Sequence, residues 1–266
     1  MESFIKWAGG KRWFIKNYNH LIPKSDQFNR YFEPFLGGGS MFFYLKPKKA
    51  FLNDINNELI ITYEQIRDNW ETINSNLIDL NERHNETLYY NIRAQKPNID
   101  IEIAIRFLYL NRTCWNGLYR VNANNEFNVP IGTKTRVVLD NDNFELRSKL
   151  LKNVKFSSND FEVLINKARK DDFVFIDPPY TVKHNNNGFI KYNEILFKWE
   201  DQVRLKNCVV KAVNRGVKIL ILNANHESIR ALYHNIGEFH FLTRKSVISG
   251  KKEFRGTYEE LAIKCY

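Results

Sequence analysis

Arg30-Tyr31-Phe32-Glu33-Pro34-Phe35 runs directly into Leu36-Gly37-Gly38-Gly39-Ser40 and then Met41-Phe42-Phe43-Tyr44-Leu45; a second apolar stretch follows at Ala50-Phe51-Leu52-Asn53-Asp54. The order is strand, glycine turn, helix, strand ending in an acid, which is half of a nucleotide-binding α/β unit. Glycines at 37 and 39 allow a tight turn and a close approach of backbone to a ligand. The spaced G-x-G-x-x-G pattern of dinucleotide oxidoreductases is absent. A carboxylate at Asp54 can accept both ribose hydroxyls of a nucleoside, or it can cap the helical run that follows.

Outward from this unit, Val154 to Ser157, Asp172 to Ile176 and Val217 to Leu222 read as further strands. The near-continuous apolar character of the last two predicts strands covered on both faces. Trp199 to Arg215 fits the crossover helix between them. Trp13, Phe14, Ile15, Tyr18 and Leu21 fall at helical spacing, and from Glu58 to Leu150 helical patterns dominate, as in Glu58 to Leu80 and Asp100 to Leu110. A polar, turn-rich stretch at Asn116 to Lys134 interrupts them. The expectation is one α/β domain with a Rossmann-like sheet and helices on both faces, residues 1–56 and 151–266, carrying a mostly helical insertion at 57–150.

Composition narrows the classes. With 266 residues, 43% of them hydrophobic, the chain is long enough for one large folded domain with an insertion. A formal net charge of +10 attracts polyanions, of which nucleic acid is the commonest. No apolar run approaches the roughly 20 residues of a membrane span. Met1 to Trp7 shows no signal-peptide anatomy, so a cytoplasmic location and no membrane partner are expected. Cys114, Cys208 and Cys265 form no CxxC pair, which argues against zinc or disulfides and predicts packing residues; no metal is expected.

Asp177-Pro178-Pro179-Tyr180 is the sharpest feature. It follows the strand Phe173 to Ile176, so it lies at the carboxyl edge of the sheet, where open α/β folds bind ligands. Two prolines stiffen the backbone and remove two amide donors. A carboxylate, carbonyls and an aromatic ring suit a planar base bearing an amino group. Tyr180 can stack on its face. Asp177 and the Pro178 carbonyl can accept both amino hydrogens, freeing the nitrogen lone pair to attack an electrophilic methyl.

Together these motifs resemble the Dam-type, D12-class family of DNA adenine-N6 methyltransferases. The match spans nearly the whole chain: Lys6 to Arg12, Phe32 to Gly39, Asn53-Asp54, Asn116 to Arg120, Phe127 to Pro130 and Asp177 to Tyr180. The resemblance implies S-adenosylmethionine as methyl donor, S-adenosylhomocysteine as product, and double-stranded DNA as partner. It implies cofactor roles for Trp7, Lys11, Phe35, Gly37, Gly39, Asp54, Asp177 and the pair Asp160-Phe161. Lys11 would lie near the methionine carboxylate, and Asp160 and Phe161 would meet the cofactor adenine. Asp177, Pro178, Pro179 and Tyr180 would hold the target adenine. The motif order resembles the family's alpha arrangement, which makes the insertion a target-recognition domain.

A base inside a duplex cannot enter such a pocket and must flip out, at a cost of about a few kcal/mol. The DNA-contact candidates are Lys6, Arg112, Trp115, Asn116, Leu118, Arg120, Pro130, Lys134, Arg244 and Arg255. Arg is the usual bidentate reader of guanine, and Leu118 and Pro130 can touch a thymine methyl. By the resemblance, Arg120 reads a guanine of GATC and Lys6 contacts the flanking one. Lys134 stands where some members carry an aromatic residue. His184 to Gly188 reads as a polar loop near the pocket. A cognate restriction endonuclease in the cell and a monomer or weak dimer are compatible with the family. RNA or cytosine N4 would suit the same pocket chemistry, and the resemblance favours adenine in DNA. A nuclease would need clustered carboxylates, and Asp171-Asp172 is the one tight acidic pair near the pocket, read as capping a strand.

Overall fold

The computed structural model describes residues 3–122, 126–182, 197–245 and 257–266. Arg255 and the His184 to Gly188 loop lie outside the described residues. The chain divides into two compact units. The first comprises Met1–Ile15, Gly37–Lys48 and Asp54–Ser158; the second comprises Lys16–Leu36, Lys49–Asn53 and Asn159–Tyr266.

The first unit is mostly helical. Its helices are α2 (Ser40–Leu45), α3 (Asn57–Asp68), α4 (Trp70–Arg83), α5 (Glu86–Ala94), α6 (Asp100–Thr113) and α7 (Phe144–Leu151). The strand β3 (Val154–Ser157) also belongs to it. Asparagine caps punctuate the helices: Asn56, Asn85 and Asn143 accept the N–H of Leu59, Leu88 and Leu146. The single helical pattern at Glu58 to Leu80 is two helices, because Asn69 adopts φ −137° between α3 and α4. Leu59, Tyr63 and Ile66 of α3 share one buried face. Helix α6 is different, because every residue from Arg106 to Thr113 is buried.

In the second unit the strands are β1 (Tyr31–Glu33), β2 (Ala50–Asn53), β4 (Phe173–Ile176), β5 (Lys218–Ala224), β6 (Glu238–Lys245) and β7 (Thr257–Cys265), with helices α8 (Phe161–Ile165), α9 (Trp199–Asn214) and α10 (Glu227–Leu232). Helix α1 (Arg12–Tyr18) spans the boundary between the units. The strands run in the order β2-β1-β4-β5-β7-β6. The first four are parallel, and β7 lies antiparallel between β5 and β6. This is a Rossmann-like α/β fold. All of β4 is buried, as the apolar run predicts. Its core joins Val174 and Ile176 to Leu164 and Ile165 of α8, Leu205 and Val209 of α9, and Ile219 and Ile221 of β5. Each such side chain contributes about 1.5–3 kcal/mol on burial. Asp172 is buried just before β4 and forks onto Arg30, with Nη2 to Oδ2 at 2.5 Å.

Candidate active site

At the carboxyl edge of the second unit's sheet, β1 and β4 lie side by side and parallel, Tyr31 opposite Phe173 and Phe32 opposite Val174. The segment Glu33-Pro34-Phe35 and the segment Asp177-Pro178-Pro179-Tyr180 therefore leave the same edge. Pro178 is buried, while Asp177, Pro179 and Tyr180 are half-buried. Tyr180 Oη donates to Glu260 Oε2 on β7 at 2.6 Å. Thr181 Oγ1 donates to the Phe197 carbonyl at 2.6 Å. Phe35 stacks on Phe161 with centroids 5.5 Å apart and meets Phe197 edge-on at 5.6 Å.

Asp160 precedes Phe161 and caps α8, its Oδ1 accepting the Glu162 N–H at 2.9 Å. Its Oδ2 pairs with Arg204 at 2.9 Å, and the same guanidinium lies 5.0 Å above the Phe161 ring. Two helix residues, Glu162 and Arg204, thus already engage the carboxylate that the family resemblance sets against the cofactor adenine.

In the first unit the glycine turn is built around Asp54. Asp54 Oδ2 accepts the Gly37 N–H at 2.9 Å and Oδ1 accepts the Asn56 N–H at 3.0 Å. Tyr63 Oη donates to the Gly37 carbonyl at 3.0 Å. Burial raises the Asp54 pKa above its ordinary value, against the lowering effect of the two N–H donors. Asn56, not Asp54, caps α3. Gly37 has φ +46°, and a Cβ there would lie 2.6 Å from Trp7 Cδ1, so the indole approaches a backbone that only glycine leaves room for. Trp7 also stacks on Tyr119 at 5.8 Å. Lys11 is buried, with Nζ donating to the Gly9 carbonyl at 2.8 Å. Gly39 has φ +63° and precedes α2.

The DNA-contact candidates divide. Trp115, Asn116, Arg120, Pro130 and Lys134 are exposed and Leu118 is half-buried. Arg120 Nε donates to Asn128 Oδ1 at 2.9 Å, which holds the guanidinium on the turn. Lys6 is clasped by Asn111, which accepts its N–H at 2.9 Å and donates to its carbonyl at 2.7 Å; Lys6 Nζ donates to the Arg112 carbonyl at 3.1 Å. Burial, and then Lys134, lower the Lys6 pKa. Arg244 lies on β6. Arg112 is a correction. It is 0% exposed and forks onto Asp142 at 2.6 and 2.7 Å, with a further bond to the Val137 carbonyl. A guanidinium so enclosed braces the fold and does not reach DNA.

The family model of the D12 class N6 adenine-specific DNA methyltransferases matches residues 7–249. The chain belongs to this family. A type II methyltransferase of Lactococcus lactis subsp. cremoris is 34% identical, with 100% of this chain aligned to 96% of the relative. A type II methyltransferase of Methanocaldococcus jannaschii is 32% identical over 99% of both chains. A DNA adenine methylase of Vibrio cholerae is 27% identical over 98% of this chain and 94% of its own. The protein is thus a DNA adenine-N6 methyltransferase.

For this D12-class enzyme the cysteines are packing residues. Burial pushes Cys114 and Cys208 up to about 11 and Cys265 up to about 12, which keeps all three as thiols. Among the described residues no group of three His, Cys, Asp or Glu side chains could hold a metal, and no helix is long and apolar enough to cross a membrane. Sequence reasoning misses Glu260, Arg204 and Asn111. Glu260 sits in the run Thr257-Tyr258-Glu259-Glu260-Leu261, whose strand alternation is the one signal that could place it facing inward.

Proposed function

We propose that this methyltransferase flips its target adenine from duplex DNA, draws the methyl group from S-adenosylmethionine and acts within GATC. The observation that carries the reading is the rigid Asp177-Pro178-Pro179-Tyr180 segment at the carboxyl edge of the fully buried β4, its phenol tied to a buried carboxylate. Asp177 and the Pro178 carbonyl accept the two amino hydrogens and draw the nitrogen towards tetrahedral geometry. The carboxylate also favours the positive charge that develops there. Tyr180 stacks on the base and offsets part of the unstacking cost. No covalent enzyme intermediate is needed, in keeping with three buried thiols.

The residues fit the methyl donor. The Asp54 carboxylate spends two of its roughly four lone-pair sites on backbone N–H groups, which leaves acceptors for a vicinal diol. The Lys11 ammonium suits the methionine carboxylate. Trp7, Phe35, Gly37, Gly39, Asp160, Phe161 and Asp177 complete the cofactor set. When bound, the donor supplies an electrophilic methyl on sulfonium.

Residues 57–150 serve as the target-recognition domain, and 1–56 with 151–266 as the catalytic domain. The exposed Trp115, Asn116, Arg120, Pro130 and Lys134, with Leu118 and Lys6, contact DNA. Arg120 reads guanine and Lys6 the flanking guanine, while Arg244 and Arg255 contact phosphate. Expression in a host that lacks adenine methylation, followed by sequencing that detects N6-methyladenine, tests this. Modified adenines confined to GATC support the reading, and modification in any other sequence overturns the site.

A further inference from the structure

The strand order places β5 between β4 and β7. Tyr180, which follows β4, therefore reaches across the end of β5 to meet Glu260 of β7, where Glu260 registers with Ala224 on one side and Leu242 on the other. Neighbouring side chains alternate faces: Glu259 is exposed and accepts Asn225 Nδ2 at 2.7 Å, while Glu260 is 7% exposed. A carboxylate buried in this way needs a donor, and the phenol at 2.6 Å supplies a bond in the charge-assisted range.

We propose that Glu260 is a positioning residue for methyl transfer, fixing the ring of Tyr180 in the plane on which the target base stacks. The inference rests on the proposed role of Asp177 to Tyr180. The prolines at 178 and 179 fix backbone torsions but do not set those of the Tyr180 side chain. A rigid ring anchored at Cα and at its far oxygen loses both side-chain torsions at once. The same bond commits the phenol hydroxyl to Glu260, so Tyr180 serves the base through its ring face. Orientation of this kind is worth about a hundredfold in rate for a displacement of about 1 Å.

The test compares steady-state methylation of genomic DNA free of methyladenine, with labelled S-adenosylmethionine, in E260L, Y180F, E260Q and Y180A, alongside thermal melting. E260L and Y180F are expected to lower kcat about ten- to hundredfold, with KM for S-adenosylmethionine within about twofold. The double variant is expected to be no worse than the poorer single one in kcat, because both singles already remove the Tyr180–Glu260 bond. E260Q, which keeps an acceptor, is expected to restore most of the loss. A role confined to folding would lower the melting temperature of E260L and leave kcat alone. Wild-type kcat in folded E260L and Y180F, with Y180A inactive, overturns the inference and leaves the role of Tyr180 standing. An active Y180A removes that role and this inference with it. Should E260L not fold, Y180F, which leaves the carboxylate in place, decides.

Discussion

Arg112 offers the sharpest division between a DNA contact and a structural brace. Arg112→Met keeps the length of the stem and removes the guanidinium. Asp142, 5% exposed, then keeps the Leu139 N–H at 2.9 Å as its donor and loses its forked ion-pair partner, while Arg147 is bonded to its backbone carbonyl. Removing one partner of a buried ion pair costs about 3–5 kcal/mol. In a chain of this size that lowers Tm by roughly 10 °C. Arg112→Met with Asp142→Asn removes the stranded charge and should return at least about 1 kcal/mol. Urea unfolding followed by circular dichroism reads both. DNA affinity, measured by fluorescence anisotropy over a salt series below the melting range, should keep its slope. A phosphate contact would instead make the slope of log K against log salt shallower by about 0.9. Wild-type stability together with a shallower slope would refute the burial argument.

Three further outcomes follow from the geometry. Gly37→Ala combines a left-handed φ of +46° with a Cβ 2.6 Å from Trp7 Cδ1, and should cost about 2–5 kcal/mol together with weakened cofactor binding. Gly10→Ala, whose Cβ meets Trp7 O at 3.6 Å, should stay within about 0.5 kcal/mol, and calorimetry separates the two. Burial raises the Asp54 pKa above 3.8, so affinity for S-adenosylmethionine should be full at neutral pH and weaken as pH falls through a value above 3.8. For folding the sign is opposite: the favourable contribution is present below 3.8 and lost as pH rises through the raised value, so ionised Asp54 costs stability at neutral pH. Titration calorimetry from pH 8 downwards, with Asp54→Asn as a pH-independent control, checks the binding limb. Arg120→Ala should relax discrimination at one guanine by about 1–3 kcal/mol, read by competition between duplexes that differ at that position.

The sheet edge was legible because its signals are local. An apolar run too short for a helix, ended by Asp-Pro-Pro-Tyr, reads as a buried strand with a stiff exit, and β4 is that strand. The glycine turn and Asp54 likewise announce themselves within about twenty residues of chain. What escaped depends on distant partners. Arg112 resembles an exposed base until Asp142, thirty residues on, is placed against it. Helix α6 buries Arg106 to Thr113 without a polar face, so periodicity cannot say which side of it is wet. Glu260 is reached only when β7 inserts between β5 and β6, and an antiparallel insertion leaves no mark in the local pattern. Asn69, polar and unremarkable, splits the run from Glu58 to Leu80 because its backbone leaves the helical region.

Asp177→Ala bears most directly on the chemistry. Binding of labelled S-adenosylmethionine and of duplex DNA should each remain measurable, because the side chain is half-buried at a strand exit and the other residues of the cofactor set stay in place. Single-turnover methyl transfer to adenine should fall by more than about a hundredfold. Transfer at close to the wild-type rate would contradict the assignment of the amino group to this carboxylate.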